Sequence, residues 1–153
     1  MRQTLITILI ILYSVVSPQL FAQTHWRTFD HKNGYTIQLP SYFSTGLLVA
    51  GGTLQWYDNT KDKEIEITVE TFGNSSLGNL MGEFDSEQST FTKVSYRVLK
   101  PSWYVISGES EQGISYMKTI LKNGVLYHLR ITYPPTQKLL MDTWIPKIAA
   151  SFK

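Results

Sequence analysis

The sequence predicts an α+β fold in which an antiparallel β-sheet of about six or seven strands is sandwiched by helices. Aromatic and β-branched residues alternate with polar ones from Trp26 onward, and turn residues separate these runs at short intervals. Such alternation is typical of half-buried strands, and short connections favour antiparallel pairing. Two later segments change to a helical period. Strands, one helix, more strands and a last helix together indicate helices layered on a sheet.

Residues 1–22 have the pattern of a secretory signal peptide, which is removed from the mature protein. Arg2 carries their only charge, the apolar run Leu5–Val16 follows, and Ala22 supplies the small residue for cleavage. This run is shorter than the roughly 20 residues of a membrane-spanning helix. We therefore predict a periplasmic or secreted protein that has no membrane span after cleavage. The alternative is a retained membrane anchor, because the uncharged stretch Gln3–Thr24 approaches the length that a span requires.

The composition predicts that residues 23–153 form one globular domain. The whole chain has 153 residues, of which 42% are hydrophobic and 17% are charged. It contains no cysteine, which excludes disulfides, thiolate metal sites and a cysteine nucleophile. Without Arg2, 13 of the 14 basic residues remain against 12 acidic ones, which gives a net charge of +1. This balance gives no reason to expect nucleic acid as a partner.

The tripeptide Lys-Asn-Gly occurs at Lys32–Gly34 and at Lys122–Gly124, each time between two strand-like runs. We predict two hairpins, each with a three-residue loop whose glycine takes the left-handed conformation. In the first hairpin this loop pairs Phe29 with Ile37, whereas a two-residue loop would pair Phe29 with Gln38.

The same loop in the second hairpin decides which side chains share a face. It leaves Lys118, His128 and Arg130 together on one face. The other face is then apolar and is predicted to be core. The residues on that apolar face are Met117, Leu121, Val125, Tyr127, Leu129 and Ile131.

Four further runs are predicted strands: Leu54–Tyr57, Glu64–Thr71, Val94–Leu99 and Trp103–Ser107. In Glu64–Thr71, apolar and acidic residues alternate strictly, so this strand has one buried and one exposed side. The predicted buried residues are Ile65, Ile67 and Val69, and the predicted exposed ones are Glu64, Glu66 and Glu70.

Helical periodicity is found in two segments, Leu77–Phe84 and Leu140–Phe152, where apolar residues recur three and four positions apart. Pro146 lies inside the second segment. Because proline removes a helical hydrogen bond and its ring clashes with the preceding turn, we expect a kink or a break there.

Several of these segments resemble the PsbP-like family in order and residue type. They are the aromatic hairpin Trp26–Pro40, the strand Trp103–Gly108, the strand end Ile131–Pro134 and the terminal helix Ile148–Phe152. The family includes the extrinsic oxygen-evolving subunit of photosystem II, a Ran-binding nuclear import factor and small exported bacterial proteins. The resemblance implies an antiparallel sheet between helices over residues 26–152. It carries over no catalytic residue, and neither the photosynthetic nor the nuclear role transfers with it.

The sequence predicts no catalytic group, no metal site and no cofactor. The segment Gly108–Gln112 begins like the nucleophile elbow of a hydrolase, but that turn requires glycine where Gln112 stands. The three histidines, His25, His31 and His128, lack the spacing of a metal site.

A ligand-binding site is predicted at Lys118, His128, Arg130 and Trp103. The three basic side chains would form a cationic cluster that could receive a carboxylate or a phosphate. The indole of Trp103 offers a flat apolar face for a ligand. The alternative interpretation is an ordinary strand face, either solvated or packed under a helix.

These observations predict an exported, non-enzymatic accessory or binding protein. It would act through the face or rim of the sheet on a protein or a small ligand of the cell envelope. The alternative is an exported hydrolase or other enzyme with an unrecognised site near His128. The residues alone leave both open.

Overall fold

A computed structural model describes residues 24–44, 46–48, 53–57, 64–72 and 80–153. The predicted signal peptide and the beginning of the first predicted helix lie outside these ranges. Within them, no helix has the length and apolar character needed to cross a membrane. The described elements, in chain order, are β1 (Trp26–His31), β2 (Tyr35–Pro40), β3 (Leu47–Leu48), β4 (Leu54–Tyr57), β5 (Glu66–Phe72), α1 (Leu80–Gln88), β6 (Lys93–Lys100), β7 (Trp103–Ser110), β8 (Gly113–Lys122), β9 (Val125–Tyr133), a 3-10 turn (Pro135–Gln137) and α2 (Lys138–Ser151).

Seven of these strands form one antiparallel sheet in the order β3-β4-β5-β9-β8-β7-β6. β1 and β2 form a separate two-stranded hairpin. The predicted α+β fold is confirmed. The first hairpin lies beside the large sheet instead of extending it.

Helices cover the sheet on both sides, as predicted. We call the two sides the α2 face and the α1 face, after the helix that packs on each. α2 and the β1–β2 hairpin bury the centre of the α2 face, whose core includes Ile37, Leu39, Ile67, Val69, Leu129, Ile131, Met141, Trp144, Ile148 and Phe152. α1 packs on the opposite face through Leu80 and Phe84, and Phe91, which follows the helix, joins the same cluster. The sheet residues of this cluster are Tyr104, Ile106, Met117 and Leu126.

The predicted loop of the first hairpin is confirmed. Phe29 pairs with Ile37, and three residues connect β1 to β2. Gly34 has a φ of 91° and its amide donates a hydrogen bond to the carbonyl of His31 at 2.9 Å. Only glycine adopts this conformation without strain, which explains its position at the end of the loop.

The predicted loop of the second hairpin is wrong. Lys122 pairs directly with Val125, so Asn123 and Gly124 alone form the turn. Both have positive φ, 52° and 74°, as a type I′ turn requires. Its twist matches that of the flanking strands, which are long here, with 10 residues in β8 and 9 in β9.

This one-residue difference reverses the faces of the two strands relative to each other. Lys118 lies opposite Leu129 on the α2 face, whereas His128 lies opposite Thr119 on the α1 face. Arg130 shares the face of His128. Both faces of the hairpin contribute to a core, so the prediction of a single core face is also wrong.

The alternation predicted for β5 is confirmed. Ile65, Ile67 and Val69 are buried on the α2 face. The acidic side chains accept hydrogen bonds from neighbouring polar groups. These pairs are Gln55 with Glu66, Thr53 with Glu70 and Gln137 with Glu64.

α2 continues through Pro146 as one helix, so of the expected kink or break the break does not occur. Pro146 lacks the N–H that would bond the carbonyl of Asp142. Because Pro146 and Asp142 are both exposed, water can satisfy that carbonyl. The opposite side of the helix is held by the buried residues Met141, Trp144 and Ile148.

The end of the chain joins α2 to the first hairpin. The main chain of Lys153 exchanges two hydrogen bonds with Thr36 of β2, at 3.0 and 3.3 Å. The amide of Gln38 donates to the hydroxyl of Ser151 at 2.8 Å. The chain end thus lies along the edge of β2 that β1 leaves free.

Candidate binding groove

A groove of about 850 Å³ opens on the α2 face above β6, β7 and β8. α2 and the first hairpin pack mainly over the β5 and β9 side of this face. The floor of the groove is apolar and aromatic, with Tyr96, Val98, Trp103, Val105, Tyr116 and Ile120. One wall is formed by the turn of the first hairpin and the C-terminal end of α2, with Gly34, Thr36, Ala149, Ala150, Phe152 and Lys153.

The pairing of the strands places the floor residues in rows across the sheet. Val98, Val105 and Lys118 form one row, because each pairs with the next across neighbouring strands. Trp103 and Ile120 form the next row. Side chains of one row project from the same face, so the alternation of three strands builds this floor.

Lys118 lies where the floor meets the wall. Its ammonium group donates hydrogen bonds to the carbonyl oxygens of Ala149 at 2.6 Å and Phe152 at 3.0 Å. Carbonyl groups at a helix C-terminus lack helical partners and carry partial negative charge, so a cation is favourable there. Burial lowers the pKa of Lys118 from its usual value. Lys118 therefore caps α2 while it lines the groove.

Lys122 lies four residues further along the same face of β8. Its ammonium group donates to the carbonyl oxygen of Gly34 at 3.3 Å. Among the described residues that line the groove, none is an aspartate or a glutamate. No ion pair is formed by Lys118 or Lys122 within the described part of the chain. The wall thus carries positive charge, which the described residues contact through neutral groups: main-chain carbonyls and, for Lys118, the ring of Phe152 at 6.0 Å.

His128 is buried on the opposite face, with 7% of its surface exposed. Its Nδ1 lies 3.2 Å from the hydroxyl of Thr119, and its Nε2 has no hydrogen-bond partner. The rings of Phe72 and Tyr104 contact it edge-on, each with a centroid distance of 6.4 Å. Burial, and secondarily the charge of Arg130, lowers the pKa of His128 to about 4. The imidazole is therefore neutral at pH 7.

Arg130 forms an ion pair with α1 and does not lie beside Lys118. Its guanidinium donates a hydrogen bond to the carboxylate of Glu87 at 3.0 Å. Burial raises the pKa of Glu87, although the charge of Arg130 opposes that change. This ion pair connects β9 to the helix that covers the α1 face.

The predicted cationic cluster therefore does not form, because the strand register separates its members. Trp103 and Lys118 line the groove on the α2 face, whereas His128 and Arg130 lie on the α1 face of the sheet. The alternative interpretation, residues packed under a helix, describes His128 correctly. A ligand-binding role for these four residues stays a prediction, and the geometry supports it best for Trp103 and Lys118.

Among the groove residues, only Trp103 and Lys118 were predicted from the sequence; Tyr96, Tyr116 and Lys122 are among those that were missed. A pattern in β8 could have identified two of them, since Tyr116, Lys118, Ile120 and Lys122 occupy alternate positions and so share a face. Tyr96 has no such signal, because it reaches the groove only through the pairing of β6 with β7.

The described residues contain no group of three or more histidine, cysteine, aspartate or glutamate side chains that could hold a metal ion.

Comparisons with known proteins agree on the fold. No family model matches the chain, and no curated protein matches it in sequence. Among solved structures, cyanobacterial PsbP (CyanoP) from Synechocystis sp. PCC 6803 is similar, with a TM-score of 0.63 and 13% identity. That match covers 92% of this chain and 98% of the cyanobacterial one. The Ran-binding protein Mog1p of Saccharomyces cerevisiae has a TM-score of 0.58 and 10% identity, over 85% of this chain and 95% of its own. The fold of this chain is therefore the PsbP-like fold that its sequence resembles.

Proposed function

We propose that this chain is an exported, non-enzymatic accessory protein that binds its ligand or partner in the groove above β6, β7 and β8. The observation that carries the proposal is the combination of an aromatic floor with a positively charged wall. Ligand sites are typically concave and mostly apolar, with a few polar groups that orient the ligand. This groove has that composition.

The exposure of the floor supports a binding role. Tyr96 is 56% exposed although it projects from a sheet face whose centre is fully buried. Large exposed apolar patches are uncommon on soluble proteins and often mark interaction sites. The similar yeast structure is that of a Ran-binding protein, a protein named for binding a partner. Export is proposed from the signal-peptide pattern of residues 1–22.

Capture in intact cells tests the groove. A photoreactive amino acid replaces Tyr96, which is 56% exposed in the groove, or Met81, which is 57% exposed on α1. After irradiation, the mass of the intact protein shows whether a lipid, a small molecule or a protein is attached. We expect one recurrent adduct from position 96 and a different, diffuse pattern from position 81.

Two matched variants on β6 make the test specific. Val98→Glu places a carboxylate in the groove floor and should reduce the adduct about tenfold, because an apolar ligand that covers the half-buried position 98 would remove an unpaired charge from water. Val94→Glu makes the same change on the same strand outside the groove and should leave the adduct unchanged. The proposal is wrong if Val98→Glu has no effect on the adduct or if both positions capture the same molecules.

The mass of the purified protein tests export separately. Cleavage after Ala22 leaves a chain that begins at Gln23. A protein that retains residues 1–22 would contradict the proposed signal peptide and favour the anchored alternative.

A further inference from the structure

We infer that the ligand of the groove is a single-chain amphiphile with a carboxylate head, a molecule of the fatty-acid class. This inference rests on the proposed function, because it names the ligand class of the same groove. It follows from the separation of apolar and charged groups within the groove.

The floor suits an unbranched apolar chain. Val98, Val105 and Ile120 form its aliphatic part, with Trp103 beside Ile120 and Tyr96 toward the other end. Each methylene group that leaves water for such a surface strengthens binding by about fourfold. A chain lying across three strands therefore gains affinity without any hydrogen bond to the floor.

The wall suits a single negative charge. Lys118 and Lys122 both direct their ammonium groups to this wall, where they contact the main-chain carbonyl oxygens of Gly34, Ala149 and Phe152. Each ammonium group has three donors, so the described hydrogen bonds leave donors of both lysines available to an anion. A carboxylate bound at this wall would accept charge-assisted hydrogen bonds from these free donors and be attracted by both charges.

The same wall favours a carboxylate over a phosphate. Phosphate sites commonly combine lysine charges with arginine forks or the amides of a helix N-terminus. The described lining residues include no arginine, and the helix end at this wall is the C-terminus of α2. The carbonyl groups of that end carry partial negative charge, which offsets part of the charge of Lys118 and disfavours a dianion.

Titration of the full purified protein by NMR tests this ligand class. Decanoate, decan-1-ol and decyl phosphate are added separately, and amide shifts of Val105 and Lys118 report binding in the groove. We expect decanoate to bind about tenfold more tightly than decan-1-ol, since charged hydrogen bonds typically contribute that much. The preference should decrease at high salt, which screens partly exposed charges.

Charge variants assign the effect to the wall. Lys122→Gln should reduce the preference for decanoate to about threefold or less, since one of the two ammonium groups proposed to hold the carboxylate is lost. Lys93→Gln removes the same charge from β6, where Lys93 lies 3.5 Å from Glu109 and outside the groove, and should leave the preference unchanged. Lys118→Met is a second variant, in which folding is verified by the amide spectrum before titration.

The outcomes separate this inference from the proposed function. Equal binding of decanoate and decan-1-ol in the groove overturns the carboxylate head but leaves the groove as a binding site. Tighter binding of decyl phosphate than of decanoate would show that the wall prefers a phosphate head, and it likewise overturns the inference. Failure of all three probes to shift the groove amides overturns the ligand class, whereas the capture experiment decides the proposed function independently.

Discussion

The imidazole of His128 is neutral because of burial, and none of the described residues places an anionic group within hydrogen-bond distance to offset that effect. The charged groups around it belong to several elements. Arg130 follows on its own strand, Glu70 is its pairing partner on β5, and Glu87 reaches Arg130 from α1. Of these, Arg130 lowers the pKa of His128 further. Protonation would therefore place an unfavourable charge in the α1 face core.

We predict that His128 makes the protein less stable as the pH falls from 6.5 to about 4. The pKa of His128 is lowered from 6.5 in the unfolded chain to about 4 in the folded one, so the unfolded chain binds the extra proton in this window. The stabilising contribution is complete above pH 6.5 and is lost as the pH falls through about 4. The loss is on the order of 3 kcal/mol. Urea unfolding at a series of pH values measures it.

The variant His128→Gln provides the control for this pH dependence. Glutamine can hydrogen-bond to Thr119 but does not titrate. Glu87, whose pKa is raised, changes the free energy of unfolding with pH in the opposite direction, and it is present in both proteins. The difference between the two proteins therefore isolates His128. Identical pH dependence of wild type and His128→Gln would show that the buried imidazole is not the cause.

At the level of elements, the C-terminal end of α2 depends on a side chain from the sheet. Lys118 supplies two hydrogen bonds to carbonyl groups that have no helical partner. The same lysine forms part of the groove wall. In the proposed function, helix capping and ligand binding therefore use one ammonium group, and a bound carboxylate would contact a lysine that the helix already holds in place.

We predict that Lys118→Met lowers the free energy of unfolding by about 2 kcal/mol, because two charge-assisted hydrogen bonds to α2 are lost. Methionine keeps the apolar length of the lysine, so packing changes little. Lys122→Met is the matched control, since its one hydrogen bond, 3.3 Å long, is exposed. Its cost should stay below about 0.5 kcal/mol. Denaturant unfolding compares the two, and equal effects would contradict the capping role of Lys118.

At the level of the whole molecule, the first hairpin belongs to neither the seven-stranded sheet nor a helix layer. It is held on the α2 face by its buried side chains and by the chain end along β2. Phe152 anchors that end, with 1% of its surface exposed and its ring 5.9 Å from that of Tyr35. The wall of the groove is made from these same segments, so its shape depends on this attachment.

We predict that Phe152→Ala destabilises the protein by about 3–5 kcal/mol, as is typical for removal of a buried aromatic ring. Loss of the anchor should also accelerate amide hydrogen exchange at Thr36 and Gln38, which bond the chain end. Leu139→Ala is the control, because Leu139 lies on α2 with 86% of its surface exposed and should change stability by less than about 0.5 kcal/mol. Unchanged exchange at Thr36 in a destabilised Phe152→Ala protein would show that the chain end does not hold the hairpin.

The sequence by itself determined the elements whose signals are local. Strict alternation predicted the buried side of β5, and the glycine of Lys32–Gly34 predicted the first loop and its register. The helical period predicted α2. In each case the residues that specify the structure lie within a few positions of it, so a short window contains the physical information.

Only the tertiary structure decided the features on which the groove depends. The same tripeptide forms a three-residue loop in the first hairpin and a two-residue turn in the second. The two-residue turn places Lys118 in the groove on the α2 face and His128 on the α1 face. β8 and β9 are paired on both sides, with β7 and β5, so the register that satisfies all four strands is selected by contacts distant in sequence. A slip of one residue reverses every side chain of a strand, and no local pattern carries the energy that prevents it.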